Sequence, residues 1–278
     1  MPDTSKPQLS LAEMLSKKKD AAPPVTISTT NTPTSWQREI SKDSSVYSEK
    51  SYVLPASTST PLHILPEIVI PESSDFIGTR IWDCATYCAK MFEWHRNVAI
   101  SGGRDANANG EIFDVDSTKI LELGAGCGLT AIALHHLVGE SGLVVATEYG
   151  PITKWLGKCV KENGVLNVEA DKSSGRVVVK DLDWFNPDHL AEIDALGPYD
   201  TVLMSDCTLN AVEVPQILSI FKRFLTKGVL GIVGVCKERD GTPRFMREAG
   251  EDFEMGRVSE FHPEYQSERL EVWTMRLK

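Results

Sequence analysis

The run Ile120-Leu-Glu-Leu-Gly-Ala-Gly-Cys-Gly-Leu129 combines an acid with three alternating glycines, Gly124, Gly126 and Gly128. Backbone without Cβ atoms lets a ligand approach closely, and a helix opening just beyond presents its N-terminal amides, an arrangement suited to a nucleotide. Glu122, just ahead of the turn, is placed to face a cationic group. Twenty residues beyond Gly128 the stretch Val144-Val-Ala-Thr-Glu148 ends on a second carboxylate, spaced to accept hydrogen bonds from both hydroxyls of a ribose. Asp183-Trp184 follows the β-branched run Val177-Val-Val-Lys180, and an indole there can pack on an adenine ring. Ser205 and Asp206 close a further apolar run, where a carboxylate at a strand end can accept a proton. Taken singly, the glycines read equally as a tight turn, Glu148 as a solvated strand end and Asp206 as a residue capping its own backbone. In one strand-turn-helix-strand unit of the right length, the glycines and Glu148 together read as a nucleoside site, with Glu122 placed for a cationic tail.

Such a site needs parallel strands that release their C-terminal ends on one edge of a sheet. The pattern supplies them: strands are expected at Lys119–Leu123, Leu143–Thr147, Arg176–Lys180, Asp200–Ser205, Val229–Val235, Asp252–Arg257 and Leu270–Leu277. Helices are expected at Thr130–Val138, Ile152–Asn163 and Val214–Thr226, with a shorter one around His189–Ala195. The alternation predicts an α/β fold, a Rossmann-like, doubly wound, mostly parallel seven-stranded sheet, and the last two strands, joined by a loop alone, predict an antiparallel C-terminal hairpin. Upstream, Thr79–Trp94 has apolar residues at helical spacing, Pro61–Ile70 fits an edge strand or hairpin, and 101–110 reads as a surface loop. Together they form an N-terminal strand and helix extension.

The 278 residues carry a formal net charge of -10, which excludes a generic phosphate-backbone binder, so no nucleic-acid partner is expected. No apolar run approaches the roughly 18 to 20 residues that cross a bilayer, and no signal-peptide core follows Met1. A soluble protein of the cytoplasm, with the nucleus as a second location, no membrane partner and a monomeric state is expected. The six cysteines form no CxxC pair or Cys/His cluster, so they read as reduced thiols and no metal is expected; Cys207 alone adjoins the site. Residues 1–60 are rich in Ser, Thr, Pro and Lys, too polar to offset their ordering entropy, and are expected to form a disordered tail before a single domain at 61–278. Within that tail, Leu9–Leu15 and Lys17–Lys19 read as a solvated segment, with a short amphipathic partner-binding turn as the other reading.

A dinucleotide fingerprint, GxGxxG, would put glycine where Leu129 stands. The spacing here, an acid two residues ahead of GxGxG, resembles class I, seven-stranded S-adenosylmethionine-dependent methyltransferases. Within them the chain resembles the protein lysine methyltransferase family 16. Four features carry this over the stretch from Pro61 to the C-terminus: Gly78-Thr-Arg-Ile-Trp82 ahead of the first helix, Leu182-Asp-Trp184 after the third strand, Asp206-Cys-Thr-Leu209 at the end of the fourth, and Lys237-Glu-Arg239 with Phe245 after the fifth. The resemblance implies S-adenosyl-L-methionine as cofactor, contacted by Trp82, Glu122, Gly124, Ala125, Gly126, Gly128, Glu148, Asp183, Trp184 and Ser205, with Trp82 lying across it. It implies Asp206 as the catalytic residue and a protein lysine as acceptor. The family signature D-x-x-Y has tyrosine where this chain has Leu209, which neither donates a hydrogen bond nor stacks; Thr208 and Asn210 remain as polar groups for a substrate amine. A small-molecule N-methyltransferase and a cofactor-binding interaction protein without catalysis are the alternatives, and an NAD-dependent oxidoreductase is disfavoured by Leu129.

Overall fold

The strand at Lys119–Leu123 (β3) is buried on both faces from Ile120 on, as a strand covered by helices on two sides must be, with Glu122 its one buried acid. It pairs in parallel with Leu143–Glu148 (β4) on one side and with Thr201–Ser205 (β6) on the other. The computed structural model describes residues 50–54, 65–73, 75–100, 118–139, 142–166, 177–258 and 265–278. With Val177–Asp181 (β5), Leu230–Cys236 (β7), Phe253–Arg257 (β8) and Leu270–Leu277 (β9), the sheet has seven strands in the order β5-β4-β3-β6-β7-β9-β8. Only β9 runs antiparallel to its neighbours, inserted between β7 and β8, so the antiparallel hairpin closes the sheet.

Helices Asp83–Ile100 (α1), Leu129–Leu137 (α2) and Pro151–Glu162 (α3) pack on one face. Helices Pro187–Leu196 (α4), Val214–Phe224 (α5) and Thr242–Asp252 (α6) pack on the other, around Leu121, Leu123, Val145, Met204 and Val233. Helix α2 is apolar almost all round because α1 and the strand Ile68–Glu72 (β2) cover what the sheet leaves. The four helices α3 to α6 each carry proline at the first or second position, where the missing amide has no intrahelical partner to lose. Those prolines start every one of these helices at the C-terminal edge of the sheet, the edge that holds the site.

Expected and observed ends of the main-sheet elements agree to within two residues, but helix α6, Thr242–Asp252, has no counterpart among the expected helices. The extension differs more. Strand β2 pairs antiparallel with Lys50–Leu54 (β1), with Leu54, Ile68 and Ile70 inward and Val53 and Val69 outward. Strand β1 thus lies inside the stretch 1–60 that composition assigns to a tail; the rest of that stretch, including Leu9–Lys19, lies outside the described residues, as do Pro61–Ile64 and the loop 101–110. The helix expected from Thr79 begins at Asp83 and runs on to Ile100. Thr79 instead ends a 3-10 turn, Ile77–Thr79, its hydroxyl shared between the Ser73 and Phe76 carbonyls. The Ile81 amide donates to the Glu72 carboxylate at 2.7 Å, which keeps Arg80 to Trp82 out of the helix.

Candidate functional site

Strand β3 sits where the sheet order reverses, and the crevice beyond its C-terminal end is where open α/β sheets hold ligands. The chain leaves β3 through Gly124, Gly126 and Gly128, with φ of 66°, 56° and 81°, a left-handed backbone that L side chains resist. The turn is anchored by the Ala125 amide, which donates to the Thr147 carbonyl of β4 at 2.9 Å, and by the Gly128 amide, which donates to the Ala125 carbonyl at 2.8 Å. Ala125 therefore tethers the turn to β4.

A Cβ on Gly124 would lie 2.6 Å from the Cys207 sulfur, and one on Gly126 would lie 3.1 Å from the Gly78 carbonyl oxygen. The turn is thus held between the segment after β6 and the 3-10 turn of the extension. Gly124→Ala is expected to cost roughly 1–2 kcal/mol for its left-handed φ alone, plus the clash with sulfur. Chemical denaturation of Gly124→Ala and of Gly124→Ala/Cys207→Ala checks this: the second substitution recovers the clash and leaves the backbone cost.

Glu122 is 1% exposed, and its Oε2 has no hydrogen-bond partner among the described residues. Burial, then repulsion from Glu148, pushes its pKa up to about 8, against the opposing pull of the Thr130 hydroxyl and the Ala131 amide. Glu148 ends β4 half-buried, its pKa raised to about 7 by desolvation and by Asp181. Gly78 lies against it: a Cβ there would come within 3.3 Å of the Glu148 Oε1. Asp181 binds the Gly150 amide at 2.8 Å and the Thr153 hydroxyl at 3.1 Å, fixing the loop into α3 below Glu148.

Asp183 and Trp184 follow β5 next door, the Leu182 amide donating to the Glu148 carbonyl at 2.8 Å. The Asp183 carboxylate accepts from the Phe185 amide at 2.9 Å, a local turn cap, while Trp184 packs its ring partly on the core and accepts Gln216 Nε2 on its carbonyl at 2.7 Å. Ser205, half-buried, ends β6 beside Gly234 of β7.

The residues after β6 depart from the reading of Thr208 and Asn210 as substrate-facing groups. Thr208 is fully buried, its hydroxyl 2.7 Å from that of Thr242, and Asn210 holds the Glu213 carboxylate at 2.5 Å and the Val212 amide at 3.0 Å. Both build the loop. Cys207 keeps its thiol protonated, since burial and then Glu148 and Asp206 push it well above its ordinary value, and it fills space under Gly124. The other cysteines are free thiols buried in the fold, and no cluster of metal-ligating residues occurs among the described residues.

Asp206 is held by a partner that spacing alone did not assign to it. Arg239, in the turn after β7, donates Nε to Oδ1 at 3.0 Å and Nη2 to Oδ2 at 2.7 Å, a two-pronged ion pair. The same guanidinium lies 4.7 Å from the centre of the Trp82 ring, whose Nε1 donates to the Ile77 carbonyl at 3.1 Å. The Asp206 hydrogen bond, ahead of the charge itself, makes Arg239 still more basic. Arg239 was legible only as a cation after β7; Phe245, quoted beside it, is wholly core, packed against Phe221.

The site thus joins a turn of left-handed glycines, two carboxylates of raised pKa, and an acid-arginine-tryptophan set. The model of a family described as lysine methyltransferase matches residues 66–253. The human protein-lysine N-methyltransferase EEF2KMT is 26% identical over 203 residues, taking in 72% of this chain and 52% of the relative. EFM2, a protein-lysine N-methyltransferase of Saccharomyces cerevisiae, is 25% identical over 175 residues, 61% of this chain and 38% of the relative. The chain thus spans about half the length, or less, of these curated relatives. Among solved structures, Aeropyrum pernix fibrillarin with natively bound S-adenosyl-L-methionine matches with a TM-score of 0.45 at 12% identity, over 81% of this chain and 100% of that one. With a family match that takes in Glu122, the glycine turn, Glu148, Asp206 and Arg239, the chain belongs to the lysine methyltransferase family.

Proposed function

We propose that the chain is an S-adenosylmethionine-dependent methyltransferase that acts on a lysine side chain of a protein. The observation that carries the cofactor assignment is Glu122: a buried carboxylate with one oxygen unpartnered among the described residues, directly ahead of a turn of left-handed glycines. Burial holds this carboxyl largely protonated in the ligand-free protein, and a cationic group beside it favours the ionised form, which suits the methionine end of that cofactor, while Glu148 suits the ribose hydroxyls. Asp183 and the open side of Trp184 fit the adenine, and Ser205 borders the methyl-bearing end. When bound, the cofactor's sulfonium supplies a methyl group to a nitrogen nucleophile. The chain's own part is positioning and exclusion of water, with the turn Ile77–Thr79 set against Gly126 through the Gly78 carbonyl and Trp82 tied to that turn.

A lysine amine, with a solution pKa near 10.4, must be neutral to react. Asp206, held in place by Arg239, draws the lysine ammonium in by its charge and accepts the proton that the amine must lose before it attacks the methyl group, and Leu209 stands where the family signature has tyrosine. Leu209 also favours a second reading, a cofactor-binding interaction protein without catalysis. Incubating the protein and a cell lysate with S-adenosylmethionine carrying a labelled methyl group tests the choice. Label recovered as methyl-lysine in protein is the expected result; label confined to small molecules, or none transferred, overturns the lysine assignment.

A further inference from the structure

Asp206 has a left-handed φ of 54° without being glycine, a conformation that persists only when the surroundings hold it. What holds it is visible. The Thr208 hydroxyl meets that of Thr242, Arg244 Nη1 donates to the Ala211 carbonyl at 2.8 Å, and the Ala211 amide donates to Asp240 at 3.1 Å. A Cβ on Gly241 would lie 2.6 Å from the Asn210 carbonyl oxygen, so the two segments touch backbone to backbone. The loop after β6 is riveted to the segment after β7, and Arg239 is the one link in that set that reaches a third segment.

Its reach depends on shape. The side chain of Asp206 is 5% exposed and that of Arg239 26%, so the pair sits largely out of water. The guanidinium nitrogens serve Asp206 while its carbon lies 4.7 Å from the centre of the Trp82 ring, a double use that a lysine ammonium cannot reproduce. Trp82 is tied through Ile77 to the turn whose Gly78 carbonyl abuts Gly126 and whose Gly78 Cα faces Glu148. A continuous set of contacts therefore runs from the acceptor-side acid to the ribose-side acid.

We infer that Arg239 is a positioning residue that locks the Asp206 loop to the segment 77–82, so that the acceptor side and the cofactor-covering side of the site are set together. This inference rests on the reading of the site as an S-adenosylmethionine pocket. Filling one side then pre-orders the other.

Calorimetric titration of the full chain with S-adenosylhomocysteine tests it without any acceptor. Arg239→Met and Asp206→Asn, the latter on the acceptor side, are each expected to weaken binding about tenfold, the range of a desolvated cation-ring contact. The double variant is expected to lose no more than either single one. Arg239→Lys, which keeps the charge and is the variant of choice if Arg239→Met does not fold, is expected to behave as Arg239→Met, since a general loss of charge or of stability would be rescued by lysine and a stacking fork would not. Additive losses, or wild-type affinity in folded Arg239→Met or Arg239→Lys, overturn the inference. Glu148→Ala separates the two failures: if wild type binds, Glu148→Ala does not, and the Arg239 variants bind as wild type, the inference falls alone. If wild type does not bind, the pocket reading falls and takes the inference with it.

Discussion

Glu148→Ala is expected to weaken S-adenosylhomocysteine binding by about 100-fold or more. A ribose offers two hydroxyl donors to one carboxylate, and hydrogen bonds to a charged acceptor contribute roughly 1.5–3 kcal/mol each. The loss should follow pH in wild type as well. With a pKa of about 7, Glu148 is ionised above neutrality and increasingly protonated below it, and the protonated form accepts fewer and weaker bonds. Affinity is therefore expected to fall as pH drops through 7 toward 5.5. In Glu148→Gln, that part of the slope should vanish. Calorimetry across this range measures both, and a wild-type affinity that rises on acidification contradicts the role.

Glu122→Gln is expected to raise the stability of the ligand-free protein while impairing cofactor binding. The sign follows from protons bound. Below pH 4.5 the carboxyl is protonated in both folded and unfolded chains and costs nothing. From 4.5 to about 8 the unfolded chain has lost the proton and the folded chain keeps it, so stability declines as pH rises, reaching its full penalty above 8. A shift of this size corresponds to a penalty on the order of 4 kcal/mol at pH 8.5, where Glutamine carries none. Thermal unfolding should show Glu122→Gln melting well above wild type at pH 8.5, with the gap closing toward pH 4.5. A gap of the same size at both ends of the range would mean that burial of charge is not the cause. The acid is kept despite its cost because a cationic ligand reverses its sign, a local exchange of stability for binding.

The sheet and its order of elements were legible because parallel strands covered on two faces are apolar throughout, as in Val177-Val-Val and Leu143-Val-Val-Ala, and because helices between them carry their own period. The cradle was legible for a similar local reason: Glu122, the alternating glycines and Glu148 lie within thirty residues, and their geometry is set by one strand-turn-helix unit. The extension was less so. Apolar spacing starts at Thr79, but the Glu72 carboxylate captures the Ile81 amide, a contact made across chain segments that no periodicity records. The acceptor side was harder still. Asp206 and Arg239 stand 33 residues apart and meet only because β6 and β7 are neighbours, and Thr208, polar by type, is turned inward by its pairing with Thr242.

The central claim is that this crevice is built for a nucleoside carrying a methionine-type, cationic tail rather than for a dinucleotide. Titrating the full chain separately with S-adenosylhomocysteine and with NADH at pH 7.5, a value above the roughly neutral Glu148 titration, tests it most directly. Saturable binding of S-adenosylhomocysteine at one site, with no heat from NADH, is the predicted result; binding of NADH with none of S-adenosylhomocysteine would contradict it.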